Sequence, residues 1–69
     1  MRLSARNVLQ GKVIFVKTGA VNSEVILELP GGAQVVSIIT KESAENLGLA
    51  AGKTAYAVIK ASNVLIGVD

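Results

Sequence analysis

Apolar positions along the chain fall into short runs punctuated by Gly, Pro and small polar residues. Val8-Leu9 and Val13-Ile14-Phe15-Val16 flank Gln10-Gly11-Lys12. They predict a first strand over 8–16, bent or bulged near Gly11, where a missing side chain allows unusual dihedrals or close approach of another backbone. Lys17-Thr18-Gly19-Ala20 supplies a turn. From Val21 to Leu29 the alternation is clean: Val21, Ser23, Val25, Leu27 and Leu29 share one face, Asn22, Glu24, Ile26 and Glu28 the other. The pattern predicts a second strand buried on one side. Pro30-Gly31-Gly32 presets φ and then accepts φ > 0, closing a hairpin onto a third strand over Ala33–Ile39.

The period then changes. Thr40 to Gly48 reads as a two-turn helix, with Thr40 as N-cap and Gly48 just beyond its end. Ala51-Gly52-Lys53 is a turn, Thr54–Ile59 a fourth strand, Lys60-Ala61-Ser62-Asn63 a small polar connection and Val64–Val68 a fifth strand. Three strands in a meander, a helix and two further strands give the connectivity of an all-β, OB-like five-stranded barrel with one short helix between strands 3 and 4. A chain dominated by Val, Ile and Ala suits such a barrel. No repeat or linker interrupts residues 1–69, which read as one domain.

Composition adds a demand. With 69 residues and 51% hydrophobic side chains, a folded monomer should expose about 4,000 Å² and bury only about 60% of its unfolded surface, a marginal core. There is no Cys to cross-link it, so self-association is the expected remedy. Lacking His and Cys, and with four Glu and one Asp, Asp69, the chain has few groups suited to acid–base catalysis or to holding a metal cation. It is expected to be no enzyme and to carry no catalytic cofactor. Apolar stretches are far shorter than the about 20 residues that span a bilayer, and the N-terminal residues lack the apolar region of a secretion signal. A cytoplasmic protein is expected. A net charge of +2 suits an anionic partner, but two aromatic residues, Phe15 and Tyr56, are too few for a base-stacking platform.

Two polar segments stand out, Ser4-Ala5-Arg6-Asn7 and Lys60-Ala61-Ser62-Asn63. Each joins a cation to a hydroxyl and to small residues that leave backbone N–H groups accessible. A tetrahedral dianion accepts hydrogen bonds from several directions, and Arg, Lys, Ser and main-chain N–H groups supply them. Ordinary lead-in and turn chemistry accounts for both segments as well, and on composition alone it leads. The helix start, with the N–H groups of Lys41, Glu42 and Ser43, is a third candidate, although Glu42 answers the helix dipole itself.

These residues resemble the molybdate-binding Mop proteins, or molbindins. The likeness runs through Ser4-Ala5-Arg6-Asn7 and its continuation Val8-Leu9-Gln10-Gly11-Lys12-Val13, Gly19 to Val25, Ile39 to Ser43, Leu47-Gly48-Leu49 and Ala57 to Val64, in order over essentially the full length. The resemblance implies an OB-like barrel assembled as a hexamer, a trimer of dimers, with oxyanions bound where subunits meet. Its main site would combine Ser4, Ala5 and Arg6 with Lys60, Ala61 and Ser62 from different subunits, with Asn7 beside them. A second site nearer the threefold axis would draw on Val21, Asn22, Lys41 and Ser43. The implied role is intracellular storage and buffering of molybdate, and of tungstate, whose shape and charge are nearly the same. A nucleic-acid-binding OB domain and a purely structural assembly module are the competing readings.

Overall fold

The computed structural model describes all residues from Met1 to Asp69. Its strands are β1 (Asn7–Thr18), β2 (Asn22–Glu28), β3 (Gln34–Thr40) and β4 (Thr54–Ile59), with helix α1 (Lys41–Asn46) between β3 and β4 and a 3₁₀ turn at Ala61–Asn63. All pairings are antiparallel, and the order is β3-β2-β1-β4. Side chains from both edge strands, Val35 and Ile39 of β3 and Ala55 and Ala57 of β4, pack on the same three buried residues, Val13, Val25 and Leu27. Strands three places apart can share one cluster only if the sheet curls, so the architecture is a half-barrel.

The face of β2 expected to be buried is buried at Ser23, Val25 and Leu27. Its partner β1 runs beyond the expected 8–16 at both ends. Lys17 and Thr18 pair with Glu24 and Ser23, and Asn7 pairs with Ile59. Opposite charges face each other across the β1–β2 ladder at Lys12 and Glu28 and at Lys17 and Glu24, an arrangement that favours this register.

The bulge lies at Ile14, not near Gly11: the register shifts between Val13 and Phe15. One extra residue reverses which parity faces inward. Val13 and Val16 therefore both reach the core, while Ile14 and Phe15 both face outward. Gly11 answers a different need. A Cβ there would stand 2.8 Å from the Glu28 carbonyl oxygen and 3.1 Å from Leu29 Cδ2, so the absent side chain permits the close approach of the β2 end.

The hairpin at Pro30-Gly31-Gly32 has both glycines at positive φ, 93° and 99°. Helix α1 is stopped at both ends by its own sequence. Thr40 Oγ1 accepts the Ser43 N–H at 3.0 Å and donates to Ser43 Oγ at 2.8 Å, a side-chain cap of the first turn. Gly48, at φ 63°, donates to the Glu45 carbonyl and Leu49 donates to the Ala44 carbonyl, the Schellman closure. The following turn ties back to β1: Gly52 N–H donates to Val13 O at 2.7 Å, and Val13 N–H donates to Lys53 O at 2.8 Å.

The fifth strand is not formed. After Val64 N–H donates to Ala61 O, residues 65–69 make no backbone hydrogen bond, and Leu65, Ile66 and Val68 are 92%, 88% and 95% exposed. The apolar run is present in the sequence, but this chain offers it no neighbouring strand.

Candidate oxyanion site

The β1–β4 ladder decides where the two polar segments lie. Asn7 is opposite Ile59, so in an antiparallel pair the residues before Asn7 and those after Ile59 emerge at the same end of the sheet. Asn7 Nδ2 donates to the Ile59 carbonyl at 3.3 Å and ties the two segments at their roots. Ser4-Ala5-Arg6 and Lys60-Ala61-Ser62 thus leave the same end of the sheet within a single chain, although 52 residues separate Asn7 from Ile59 in sequence.

Their chemistry is uncommitted. Ser4, Arg6, Lys60 and Ser62 are exposed, and none of the side-chain hydrogen bonds uses them. Lys60 opens the 3₁₀ turn without a side-chain cap. The turn bonds internally through Asn63 N–H to Lys60 O at 2.9 Å and Val64 N–H to Ala61 O at 3.2 Å. Its first two N–H groups, on Ala61 and Ser62, take no backbone partner, as expected at the start of a helical turn. Two cations, two hydroxyls and two free amides therefore share one end of the sheet, a donor set with no competing carboxylate among its own residues.

The second group is also drawn together, with fewer donors free. Asn22 is opposite Thr40, and Lys41 N–H donates to Val21 O at 2.8 Å. Ser43 N–H is occupied by the Thr40 cap. Of the three helix-start amides considered from sequence, only that of Glu42 remains. What Val21, Asn22, Lys41 and Ser43 still offer is the Val21 main-chain N–H, the Lys41 ammonium, the Ser43 hydroxyl hydrogen and the Asn22 carboxamide.

Next to this group lies a residue that the sequence reading passed over. Ser23 is 1% exposed, and its Oγ has no hydrogen-bond partner. It lines a cavity of about 330 Å³ with Thr18, Lys41 and Glu45. The signal was present: Ser23 is the one polar position on the apolar face of β2. A larger cleft, of about 700 Å³, opens between β3 and β4 and is almost wholly apolar. Tyr56 lines it and Phe15 does not, so the two aromatic rings form no common platform. No group of three or more His, Cys, Asp and Glu is assembled that could hold a metal ion. No helix is long and apolar enough to cross a membrane.

Comparison with known proteins adds four findings. The chain matches the TOBE domain over residues 3–66. It is 52% identical over 66 residues to molybdenum-pterin-binding protein 3 of Clostridium pasteurianum, covering 96% of this chain and 97% of that one. Among solved structures, MopII of Clostridium pasteurianum in an apo form superposes with a TM-score of 0.92 at 45% identity, over 97% of this chain and all of MopII. The cytoplasmic molybdate-binding protein ModG, with molybdate bound, superposes with a TM-score of 0.95 at 56% identity over the whole of this chain, which spans about half (49%) of ModG. With the family match covering nearly every residue, and relatives of the same length and fold, the chain belongs to the TOBE-domain family, among its Mop proteins.

Proposed function

We propose that this protein binds molybdate, and tungstate by the same chemistry, and serves as an intracellular, cytoplasmic store and buffer for the oxyanion. The observation that carries the reading is the closure of β1 on β4 at Asn7 and Ile59, which gathers Arg6, Lys60, Ser4, Ser62 and two free amides at one end of the sheet. That end is exposed, so one chain meets an anion from one side only. A tetrahedral dianion needs donors all round. Apposing two such ends in a homo-oligomer supplies the missing half and excludes water, which strengthens charge-assisted hydrogen bonds. A hexamer built as a trimer of dimers would give the main sites at such contacts. Val21, Asn22, Lys41 and Ser43 would form a second class nearer the threefold axis. The role as a binding protein, not a catalyst, accords with a chain that has no His or Cys. The molybdate-bound ModG and the molybdenum-pterin-binding relatives support the choice of ligand.

Selectivity would come from rigidity. Sulfate has the same charge and shape but a smaller radius, so short donors fixed to the β1–β4 ladder reach molybdate oxygens and leave sulfate with longer, weaker bonds. The test is calorimetric titration of the intact protein with molybdate and with sulfate, repeated on Arg6→Ala. Molybdate is expected to bind more tightly than sulfate. Losing one charged hydrogen-bond donor, worth about 1.5–3 kcal/mol, should weaken it roughly 10- to 100-fold. Equal affinity for the two anions would overturn the selectivity argument. An unchanged molybdate affinity in Arg6→Ala would remove Arg6 from the site.

A further inference from the structure

We propose that Asn7 is a positioning residue: its carboxamide fixes the Ile59–Lys60 peptide, and with it the donors of the following turn, and is not itself a donor to the anion. The inference deepens the oxyanion reading above and rests on it for the effect on affinity, but not for the effect on the turn.

Asn7 stands where a β-branched residue would be ordinary. It is the half-buried first residue of β1, and Asn is depleted in strands. Its carboxamide can donate two hydrogen bonds and accept two, and the bond it makes runs from Nδ2 to the Ile59 carbonyl oxygen at 3.3 Å. The choice of acceptor matters because a peptide unit is planar and trans. Ile59 C=O and Lys60 N–H belong to one such unit and point in opposite directions. Holding the oxygen from the β1 side therefore aims the Lys60 N–H outward, toward the free edge of β4. The N–H groups of Lys60, Ala61 and Ser62 donate to no main-chain oxygen, so the direction of the first of these consecutive open amides is set by Asn7. A hydrogen bond received at a carbonyl also polarises the N–H of the same unit and makes it the stronger donor.

The turn needs an outside hold at this point. β4 ends at Ile59, so the ladder stops one residue short of Lys60, and Lys60 opens the 3₁₀ turn with no side-chain cap. Inside the turn the bonds are Asn63 N–H to Lys60 O at 2.9 Å and Val64 N–H to Ala61 O at 3.2 Å. Asn7, on the rung of the β1–β4 ladder that faces Ile59, supplies from β1 the cap that the turn's own residues do not. An Asp in its place would have the same shape but, once ionised, accepts only and cannot make the bond. At 3.3 Å the bond is longer than the common 2.7–3.2 Å, so it adds little to global stability. Its effect is directional and is read at the turn.

Amide hydrogen exchange, followed by NMR on the oxyanion-free protein, compares the wild type with Asn7→Ala and Asn7→Asp. In both variants the Asn63 and Val64 amides are expected to exchange roughly tenfold faster, while those of the β2–β3 ladder keep their wild-type rates. Unchanged rates at Asn63 and Val64 would overturn the proposal, since a side chain that acts on the anion directly has no effect in its absence. Acceleration spread evenly over the β2–β3 ladder would also overturn it, by showing only a loss of global stability. So would wild-type rates in Asn7→Asp beside fast exchange in Asn7→Ala, because side-chain volume and not the donated bond would then hold the turn. Calorimetry supplies the second readout. Asn7→Ala should raise the Kd for molybdate about tenfold, a cost of about 1.4 kcal/mol, and that for sulfate less, narrowing the ratio of the two; a loosened turn with unchanged molybdate affinity would overturn the positioning role. A wild type that binds neither anion would refute the oxyanion reading alone, because exchange without anion still decides whether Asn7 sets the turn.

Discussion

Ser23→Ala should make the protein more stable. The hydroxyl is 1% exposed and unpartnered, on a strand residue flanked by Thr18 of β1 and Ile39 of β3. A buried hydroxyl with no hydrogen bond costs about 1–3 kcal/mol. Removing one oxygen also forfeits a few dispersion contacts of about 0.1–0.2 kcal/mol each, so the net gain is about 1 kcal/mol. For a domain of this size that raises Tm by roughly 4–8 °C. Circular dichroism melts of both proteins at one protein concentration and without oxyanion would measure it, the fixed concentration being needed because association shifts apparent stability. A loss of 1 kcal/mol or more would refute the reasoning, since it would show that Oγ is hydrogen-bonded in the folded protein. If the substitution also leaves molybdate affinity intact, the cavity shared by Ser23 and Lys41 takes no part in binding.

Other perturbations test the scaffold and the ligand. Gly11→Ala forces a Cβ to within 2.8 Å of the Glu28 carbonyl oxygen. Overpacking of about 1–3 kcal/mol should exceed the entropic gain of about 0.4–1 kcal/mol, so urea denaturation should show a net loss. Thr40→Ala removes the acceptor for Ser43 N–H and the donor to Ser43 Oγ, and should cost about 1 kcal/mol in the same assay. Molybdate at a hundredfold excess over Kd should stabilise the folded protein by about 2.7 kcal/mol; a melting temperature indifferent to molybdate would count against a site formed only in the folded state.

Much of this architecture was legible because local chemistry and tertiary structure agree. Val21 to Leu29 alternates cleanly and forms a strand over Asn22–Glu28, and the apolar run Thr54–Ile59 between turn residues forms a strand over that span. Thr40 and Gly48 mark helix ends that their own side chain and backbone enforce. Pattern reading failed where alternation disappears. Val13-Ile14-Phe15-Val16 is apolar throughout, so nothing in it placed the bulge, and Gly11 drew the assignment because a glycine permits a bulge and a close approach alike. Val64–Val68 has the composition of a strand but no pairing surface in its own chain, and a single sequence does not say where a strand's neighbour comes from. The two polar segments were legible as candidates, whereas their adjacency required the register of β1 on β4. Ser23 was visible as a polar exception on an apolar face, and its isolation from partners was not.

That register also sets a clock. The end of the sheet bearing Arg6 and Lys60 joins segments that 52 residues separate in sequence at Asn7 and Ile59. A ribosome therefore has to release the chain through Lys60 before those two cations can meet. The β2–β3 hairpin, by contrast, can zip as soon as residue 40 is free. Closing a loop of about 50 residues carries an entropic penalty of roughly 3.5 kcal/mol beyond a constant, a cost recovered only as the β1–β4 ladder forms. On the proposed function, a nascent chain halted before Lys60 would lack half of its donor set and would withdraw no oxyanion from the cell.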